Sequence, residues 1–396
     1  LDATLAAANA RIARQLVGVQ RAAVLPDLSA DASGLRQTVN LGTFGLPPAL
    51  LGPNAPTVSP AFEVYSATVR SRVPLFDGAA YLRLAAARDS ARAAEADAKA
   101  AAEHAGVSVA LQVLQVHVLR EAIVARREDS VAADAVLAQA RAMNGAGMTP
   151  ELDVVRAEVD RNAAVAAVRS AIVNERQAWL GLRLALQLQP PDSLELAPLD
   201  LARDADVEPA VALDAPLRRP ELEAERLRVR SLTRRRAGVA AEQLGSIQLF
   251  GDYQWAGLTT ARLFGTYRIN VAYSLPLFDG ARRVERLGIE QTALALGRTL
   301  ERATTLRLQR EAASARLALD DARTQWRLAL DRRGLAEREL TLATQRYSAG
   351  LATSLETTGA LRALIGARTE VLQAQLRLQT ARLDLYRSVG ALPDLR

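Results

Sequence analysis

From Gly78 to Met143 the sequence holds no proline and only one internal glycine, Gly106. Such a run reads as a single helix of 66 residues. At about 1.5 Å per residue it would extend roughly 100 Å, too far to lie inside a compact domain of this chain length. A second helical stretch of the same length, 281–346, follows in the other half. The hexapeptide Val73-Pro-Leu-Phe-Asp-Gly78 opens the first and returns as Leu275-Pro-Leu-Phe-Asp-Gly280, 202 residues later, to open the second. Met143-Asn-Gly-Ala-Gly147 breaks the first and Tyr347-Ser-Ala-Gly350 the second, with 203 residues from Gly147 to Gly350. The chain therefore reads as two copies of one strand-then-helix unit.

The first repeat spans 1–203 and the second 204–396. Residues 1–25 form a helix ended by Pro26, followed by a β-hairpin over 28–73. Its strands, 28–44 and 60–73, flank a loop rich in proline and glycine. Helices over 78–143 and 151–188 complete the repeat, and Pro190 and Pro191 stop the second of them. A proline-punctuated connector, 190–219, leads to Arg219-Pro220-Glu221-Leu222, where proline suits the first position of a new helix. The second repeat holds a helix over 220–243, a β-hairpin over 246–275, and helices over 281–346 and 353–388. Its last strand alternates most cleanly. Leu263, Gly265, Tyr267, Ile269, Val271, Tyr273 and Leu275 fall on one side, opposite Arg262, Phe264, Thr266, Arg268, Asn270, Ala272 and Ser274, with Phe264 and Ala272 the only apolar residues on the polar side.

These elements constrain one another. Each long helix needs partners along its length, and a helix of about 24 residues stacked on one of about 38 would nearly match it at 1.5 Å per residue. Abundant alanine permits close helix approach, while leucines supply an apolar stripe, as in coiled coils. The strands are harder to place, because hairpins with one apolar face do not stand alone in water. Each strand is long enough to cross a bilayer when tilted. Tyr253, Trp255, Tyr267 and Tyr273 lie on the apolar faces, where membrane barrels carry aromatic belts. A sheet in lipid must close on itself, and four strands are too few. Several chains must then contribute, three of them giving twelve strands.

Composition removes other functions. The chain has no cysteine, hence no disulfide, thiolate nucleophile or cysteine metal site. Its two histidines, His104 and His117, stand thirteen apart, off the spacing that puts two ligands on one helix face. No metal or other cofactor is expected. Of the 50 basic residues only Lys99 is lysine, so the net charge of +6 is an arginine charge. The densest run, Arg226 to Arg236, reads first as a solvated helix face partly matched by Glu221, Glu223 and Glu225, with contact to nucleic acid or anionic lipid headgroups as alternatives; it lacks the interleaved aromatics of a nucleic-acid stripe. No helix is expected to span a membrane, since the longest uncharged stretch of the helical region, His104 to Leu119, has 16 residues. No signal peptide is read, because 1–25 already reads as helix. With no phosphate-binding glycine loop and no nucleophile beside a base, no enzyme is expected. A periplasmic coiled-coil adaptor or structural protein, and a nucleic-acid-binding coiled coil, stay as alternatives. The two amphipathic hairpins count against the first.

The doubled Pro-Leu-Phe-Asp-Gly turn, the Arg-Pro-Glu-Leu helix start and the Tyr-x-x-Gly break, taken in order, make the whole chain resemble the TolC-like outer-membrane efflux proteins. The resemblance implies a mainly α fold with β, in which four membrane strands per chain contribute to a twelve-stranded trimeric β-barrel. A long periplasmic α-helical barrel would continue it, with the 190–219 connector in an equatorial girdle. It implies a homotrimer held in outer-membrane lipid. That trimer would conduct drugs, other small molecules or proteins outward, and would partner a periplasmic adaptor and an inner-membrane transporter. Pro74, Asp77 and Gly78, with Pro276, Asp279 and Gly280, become strand-to-helix corners. Gly147 and Gly350 become hairpin tips that meet the adaptor. Asp153 matches an acidic latch residue, Glu356 a residue forming a ring of three carboxylates, and Tyr347 a tyrosine pairing across the latch. Gly359 stands where a second acidic ring occurs and Ala352 where a basic partner occurs, which weighs against strong cation binding and a tight latch. Read from the residues alone, a ring of carboxylates attracts cations. Equally, Asp153 and Glu356 are acids that favour a helix N-terminus.

Overall fold

The computed structural model describes residues 2–44, 56–188, 194–197 and 215–390. Most of the 190–219 connector thus lies outside the described residues, as does 45–55 of the first hairpin loop. In chain order the elements are α1 (Asp2–Ala22), β1 (Asp27–Gln37), a 3₁₀ turn (Leu41–Phe44), β2 (Phe62–Asp77), α2 (Gly78–Gly145) and α3 (Glu151–Ala185). The second half holds a 3₁₀ turn (Ala215–Arg218), α4 (Pro220–Ala241), a 3₁₀ turn (Glu242–Leu244), β3 (Ser246–Thr259), β4 (Arg262–Ser274), α5 (Arg282–Ser348) and α6 (Ser354–Ser388). By packing, the chain divides into one unit of Leu1–Ala3, Lys99–Leu222 and Ala303–Arg396, and another of Thr4–Ala98 and Glu223–Arg302. Each unit draws on both sequence repeats.

The second unit holds the strands. The two hairpins form one antiparallel sheet in the order β1-β2-β3-β4, because β2 also pairs with β3 along nearly its whole length. Two sequence expectations need correction here. The strand expected over 28–44 ends at Gln37, where an Asn40–Val58 bridge and a 3₁₀ turn take the chain out of the ladder. The strand expected to end at residue 73 runs on to Asp77, because β3 pairs with Pro74, Phe76 and Asp77 across a bulge. A bulge is where a strand tolerates proline. Two glycines are forced by close approach. A Cβ at Gly257 would sit 1.9 Å from the Arg262 carbonyl oxygen in the β3–β4 turn, and one at Gly245, with φ +69°, would sit 2.4 Å from that of Ser274.

The first unit is a bundle of α2, α3, α5 and α6 segments, and its buried residues explain the alanine content. On α5, Leu308, Ala315, Ala322, Ala329, Ala336 and Ala343 are buried at strict seven-residue spacing. On α6 the buried series Ala360, Ala367, Ala374 and Ala381 runs beside Leu364, Val371, Leu378 and Leu385. Ala157, Ala164 and Ala171 repeat the pattern on α3. A seven-residue repeat keeps one face toward its partner only if the helices supercoil left-handedly. Alanine on that face brings the backbones close. Leucine fills the other seam position, as where Leu319, Leu378 and Leu385 cluster with Ala315, Ala322 and Ala381. Ala133, Ala164 and Leu361 bring α2, α3 and α6 into one cluster. Burying each leucine contributes about 1.5–3 kcal/mol.

Both long helices end alike. Gly147 (φ +74°) and Gly350 (φ +70°) take the left-handed conformation that closes a helix C-terminus. The Met148 amide donates to the Met143 carbonyl at 2.9 Å, and the Leu351 amide to that of Arg346 at 2.9 Å.

Candidate functional site

Cross-strand register sorts the sheet into two faces. Ala32, Ala67 and Trp255 align across three strands, and Ala30, Val69, Tyr253 and Tyr267 across all four. Leu28, Tyr253, Trp255, Tyr267, Ile269, Val271 and Tyr273 are all exposed on this apolar face. Tyr253 packs over Gly265, where a Cβ would meet its hydroxyl at 2.4 Å, and its ring stands 4.5 Å from Trp255. The opposite face carries paired polar groups, beside the exposed Leu35 and Phe264. Arg70 donates to Asp31 at 2.9 Å, Arg268 lies 3.6 Å from Asp252, and the Ser33 and Ser66 hydroxyls meet at 3.0 Å. Among the described residues the outer edges of β1 and β4 pair with no strand. An exposed apolar face of this extent suits hydrocarbon, and hydrocarbon does not tolerate open edges.

The two strand-to-helix corners differ. In both, the aspartate caps the helix that follows: Asp77 Oδ1 accepts from the Ala80 amide at 2.8 Å, and Asp279 Oδ2 from the Arg283 amide at 3.1 Å. Capping satisfies a donor that a helix start leaves free. In the first copy Pro74 lies in the β2–β3 ladder and α2 begins at Gly78 directly after the strand. In the second copy β4 stops at Ser274, Pro276 lies outside the strand, and Gly280 (φ +67°) and Ala281 (φ +65°) precede α5.

At the far ends of the hairpins, Asp153 and Glu356 occupy equivalent places in the first turns of α3 and α6, their amides donating to the carbonyls of Pro150 and Thr353 at 3.1 Å. Their surroundings diverge. The Asp153 side chain is 14% exposed and lies 3.8 Å from Arg156. That of Glu356 is 48% exposed and lies 3.8 Å from Arg346. Arg346 thus supplies, from the end of α5, a basic partner that Ala352 does not. Tyr347 is 2% exposed, and its hydroxyl meets no partner among the described residues. The Ser354 and Thr357 hydroxyls are likewise buried and unpartnered there. The two tips adjoin, since a Cβ at Gly350 would lie 3.9 Å from Met148 Cε. Gly147 has open space around it, as does Gly359 on α6.

Several pairings were not read from the sequence. Arg362 on α6 donates twice to Asp160 on α3, at 3.1 and 2.6 Å. Asp129 on α2, 2% exposed, accepts from Arg126 at 3.2 Å and from Arg368 of α6 at 2.9 Å. Arg219, 3% exposed, holds Glu221 and reaches Glu311 of α5 at 3.0 Å, while His104 Nε2 lies 3.1 Å from Glu221. A usable signal existed for one: Asp160 and Arg362 are 202 residues apart and of opposite charge, within a residue of the repeat length. The arginine run on α4 is matched by acids of neighbouring helices as well as its own. Arg228 pairs with Asp97 and Glu225, Arg234 with Asp89 at 2.8 Å, and Arg235 with Glu290 at 2.9 Å.

One helix is more apolar than its charge-free run suggests, without being shown to enter a membrane. Helix Gly78–Gly145 contains an 18-residue window with mean hydropathy 1.4, apolar enough by length and composition to cross a membrane. Only 28% of that window is buried.

The family model for outer membrane efflux proteins matches residues 2–188 and 212–391. No curated protein matches the chain. Among solved structures, CusC aligns over 98% of this chain and 89% of its own with a TM-score of 0.87 at 17% identity. The VceC outer membrane protein of Vibrio cholerae aligns over 98% and 92%, with a TM-score of 0.82 at 17% identity. The MtrE outer membrane channel of Neisseria gonorrhoeae, in its open state, aligns over 99% and 86%, with a TM-score of 0.81 at 21% identity. These likenesses carry the fold: mainly helical, internally duplicated, with one four-stranded antiparallel sheet. Since the family model accounts for both repeats, the chain belongs to the outer membrane efflux protein family.

Proposed function

We propose that this protein is the outer-membrane exit duct of a tripartite efflux or type I secretion system, working as a homotrimer. It passively conducts drugs, other small molecules or proteins received through a periplasmic adaptor from an inner-membrane pump. The observation that carries this reading is the sheet. One face is mainly apolar with its aromatic residues exposed, the other carries the ion-paired polar residues, and among the described residues both edges are open. Three copies joined edge to edge give a twelve-stranded barrel whose apolar face meets lipid and whose polar face lines water.

Helix surfaces support a ring. In the unit that holds the sheet, Leu5, Ile12, Leu16 and Val19 make an exposed apolar stripe on α1. In the bundle, Leu152, Val155 and Val159 do so on α3, and Leu328, Leu335 and Leu342 on α5. Stripes at helical and heptad spacing that stay uncovered in one chain suit a neighbouring copy. The 190–219 connector is assigned to the equatorial girdle. The tips around Gly147 and Gly350 are assigned to the adaptor contact, and Asp153, Glu356 and Tyr347 to the gate. The duct itself performs no chemistry and needs no cofactor; transport energy comes from the pump.

Reconstitution in planar lipid bilayers tests the proposal. Purified protein should insert and give stepwise ohmic conductance. Inserted protein that never conducts, at any pH or salt, would overturn it.

A further inference from the structure

The two faces of the sheet exchange character at the end away from the helices. On the face with the ion pairs, the rows nearest the helices are charged. Asp27 opposes Arg72, and Ser29, Arg70, Asp252 and Arg268 align across all four strands. The next row, Asp31, Thr68, Gln254 and Thr266, is polar. Beyond it the wall turns apolar. Ser33, Ser66, Ala256 and Phe264 align, then Leu35 opposes Val64, and Phe62 stands at the end of β2. Leu35 is 52% exposed and Phe264 73%.

The other face runs the opposite way. It is apolar through the row of Ala32, Ala67, Trp255 and Gly265, but at the hairpin end Arg36 opposes Glu63. The Tyr65 hydroxyl donates to that glutamate at 2.6 Å. A charged pair on the lipid side of a barrel is tolerated only near the interface, so it marks where hydrocarbon ends. Leu35, Val64 and Phe264 therefore stand level with the outer rim, on the wall that lipid does not reach. Barrels of eight strands are filled by their own side chains, whereas wider ones keep a lumen. In the duct proposed above these side chains border an open passage, and a contiguous apolar patch exposed to water marks a contact surface.

One charge adjoins the patch. Alternation along β4 sets Arg262 on the same side as Phe264, at the end of the strand. It is exposed and, among the described residues, joins no ion pair, whereas Arg70 and Arg268 lie beside Asp31 and Asp252. Cation and apolar wall side by side complement a molecule with an apolar body and a negative head. We propose that the outer end of the inner wall is a binding site for small amphiphilic anions. The apolar body lies along Val64, Ala256 and Phe264, with Leu35 extending the surface, and the anionic group meets Arg262.

The inference rests on the duct reading, and one assay tests the two apart. Single channels in planar bilayers are titrated with a series of alkanesulfonates, methanesulfonate through hexanesulfonate, on both sides. In wild type the half-blocking concentration should fall about twofold for each added methylene, as half-burial of a CH₂ gives. Phe264→Ser should flatten that dependence on chain length, while Phe264→Leu, which keeps the surface apolar, should preserve it. Arg262→Gln should weaken block by a similar factor at every length and leave the dependence intact. Both side chains are exposed, so neither change removes a buried contact. Leu35→Ser provides a second reading of the wall and should also reduce the dependence. Channels that conduct but show no dependence on chain length overturn the site. So does a dependence that survives both Phe264→Ser and Leu35→Ser. An unchanged response in Arg262→Gln overturns the choice of anions. Inserted wild-type protein that never conducts overturns the duct reading instead.

Discussion

Replacing Tyr347 by phenylalanine separates two accounts of the proposed gate. If the tyrosine holds the tip shut by a hydrogen bond, losing the hydroxyl loosens it. The structure argues the reverse for the packed tip. The side chain is 2% exposed and its hydroxyl has no partner among the described residues. A buried polar group left unpaired costs about 1–3 kcal/mol, and phenylalanine removes that cost while keeping the ring. Opening the tip to water relieves the same cost, so Tyr347→Phe should shift the equilibrium toward the packed state by about 5- to 140-fold. Hydrogen exchange reads this directly through the amides of Ala349, Gly350 and Leu351, which bond to carbonyls of the last turn of α5. Their exchange should slow by that factor, with open-channel dwell times shortened in bilayers. Thr357→Val, which removes another buried unpartnered hydroxyl, should act in the same direction. Faster exchange with larger conductance in Tyr347→Phe would refute the reasoning and place the hydroxyl in a bond across the assembled tip.

Other perturbations read different parts of the account. Glu356→Gln should weaken divalent-cation block of reconstituted channels, since it removes the carboxylates assigned to the ring; unchanged block would sink that assignment. Asp129→Ala leaves two arginines without their buried partner and should cost about 3–5 kcal/mol in urea unfolding. Breaking the exposed Arg332–Glu370 pair with Arg332→Ala should cost less than about 1 kcal/mol. Ala329→Leu forces a large side chain into the alanine seam and should destabilise by about 1–3 kcal/mol, read as a fall in Tm. His117 is held below its ordinary value of 6.5 by burial and by nearby Arg120, so the folded chain keeps it neutral where the unfolded chain takes a proton. Its contribution is therefore complete above that ordinary value and is lost as pH falls below it. A His117→Leu variant should lose less stability than wild type between about pH 6.5 and 5, and parallel curves would contradict this.

Much of the fold is legible because its signals are local. Pro26, Pro150 and Pro220 bracket helices, the two glycine breaks end the long ones, and β4 alternates clearly apart from Phe264 and Ala272. The alanine heptads on α5 and α6 are written in the sequence as well. They pass unnoticed because alanine dominates exposed positions too, and the strict spacing stands out only once burial is known. The corners mislead for a different reason. The shared Pro-Leu-Phe-Asp is strand in one copy, where β3 lies alongside it, and loop in the other, where none of the described strands does; no short motif encodes that difference. The candidate gate follows the same division. The places of Asp153 and Glu356 after the breaks follow from the repeat, but the burial of Tyr347 and the approach of Arg346 to Glu356 depend on side-chain packing around a turn.

The central claim is that separate chains close one membrane barrel and continue it as a helical one. Images of single particles in lipid nanodiscs test this most directly. The account predicts a threefold hollow cylinder more than about 100 Å long, the length set by its helices, with the lipid disc girdling the end where the strands lie. A compact monomer, or a particle of any other symmetry, would contradict it.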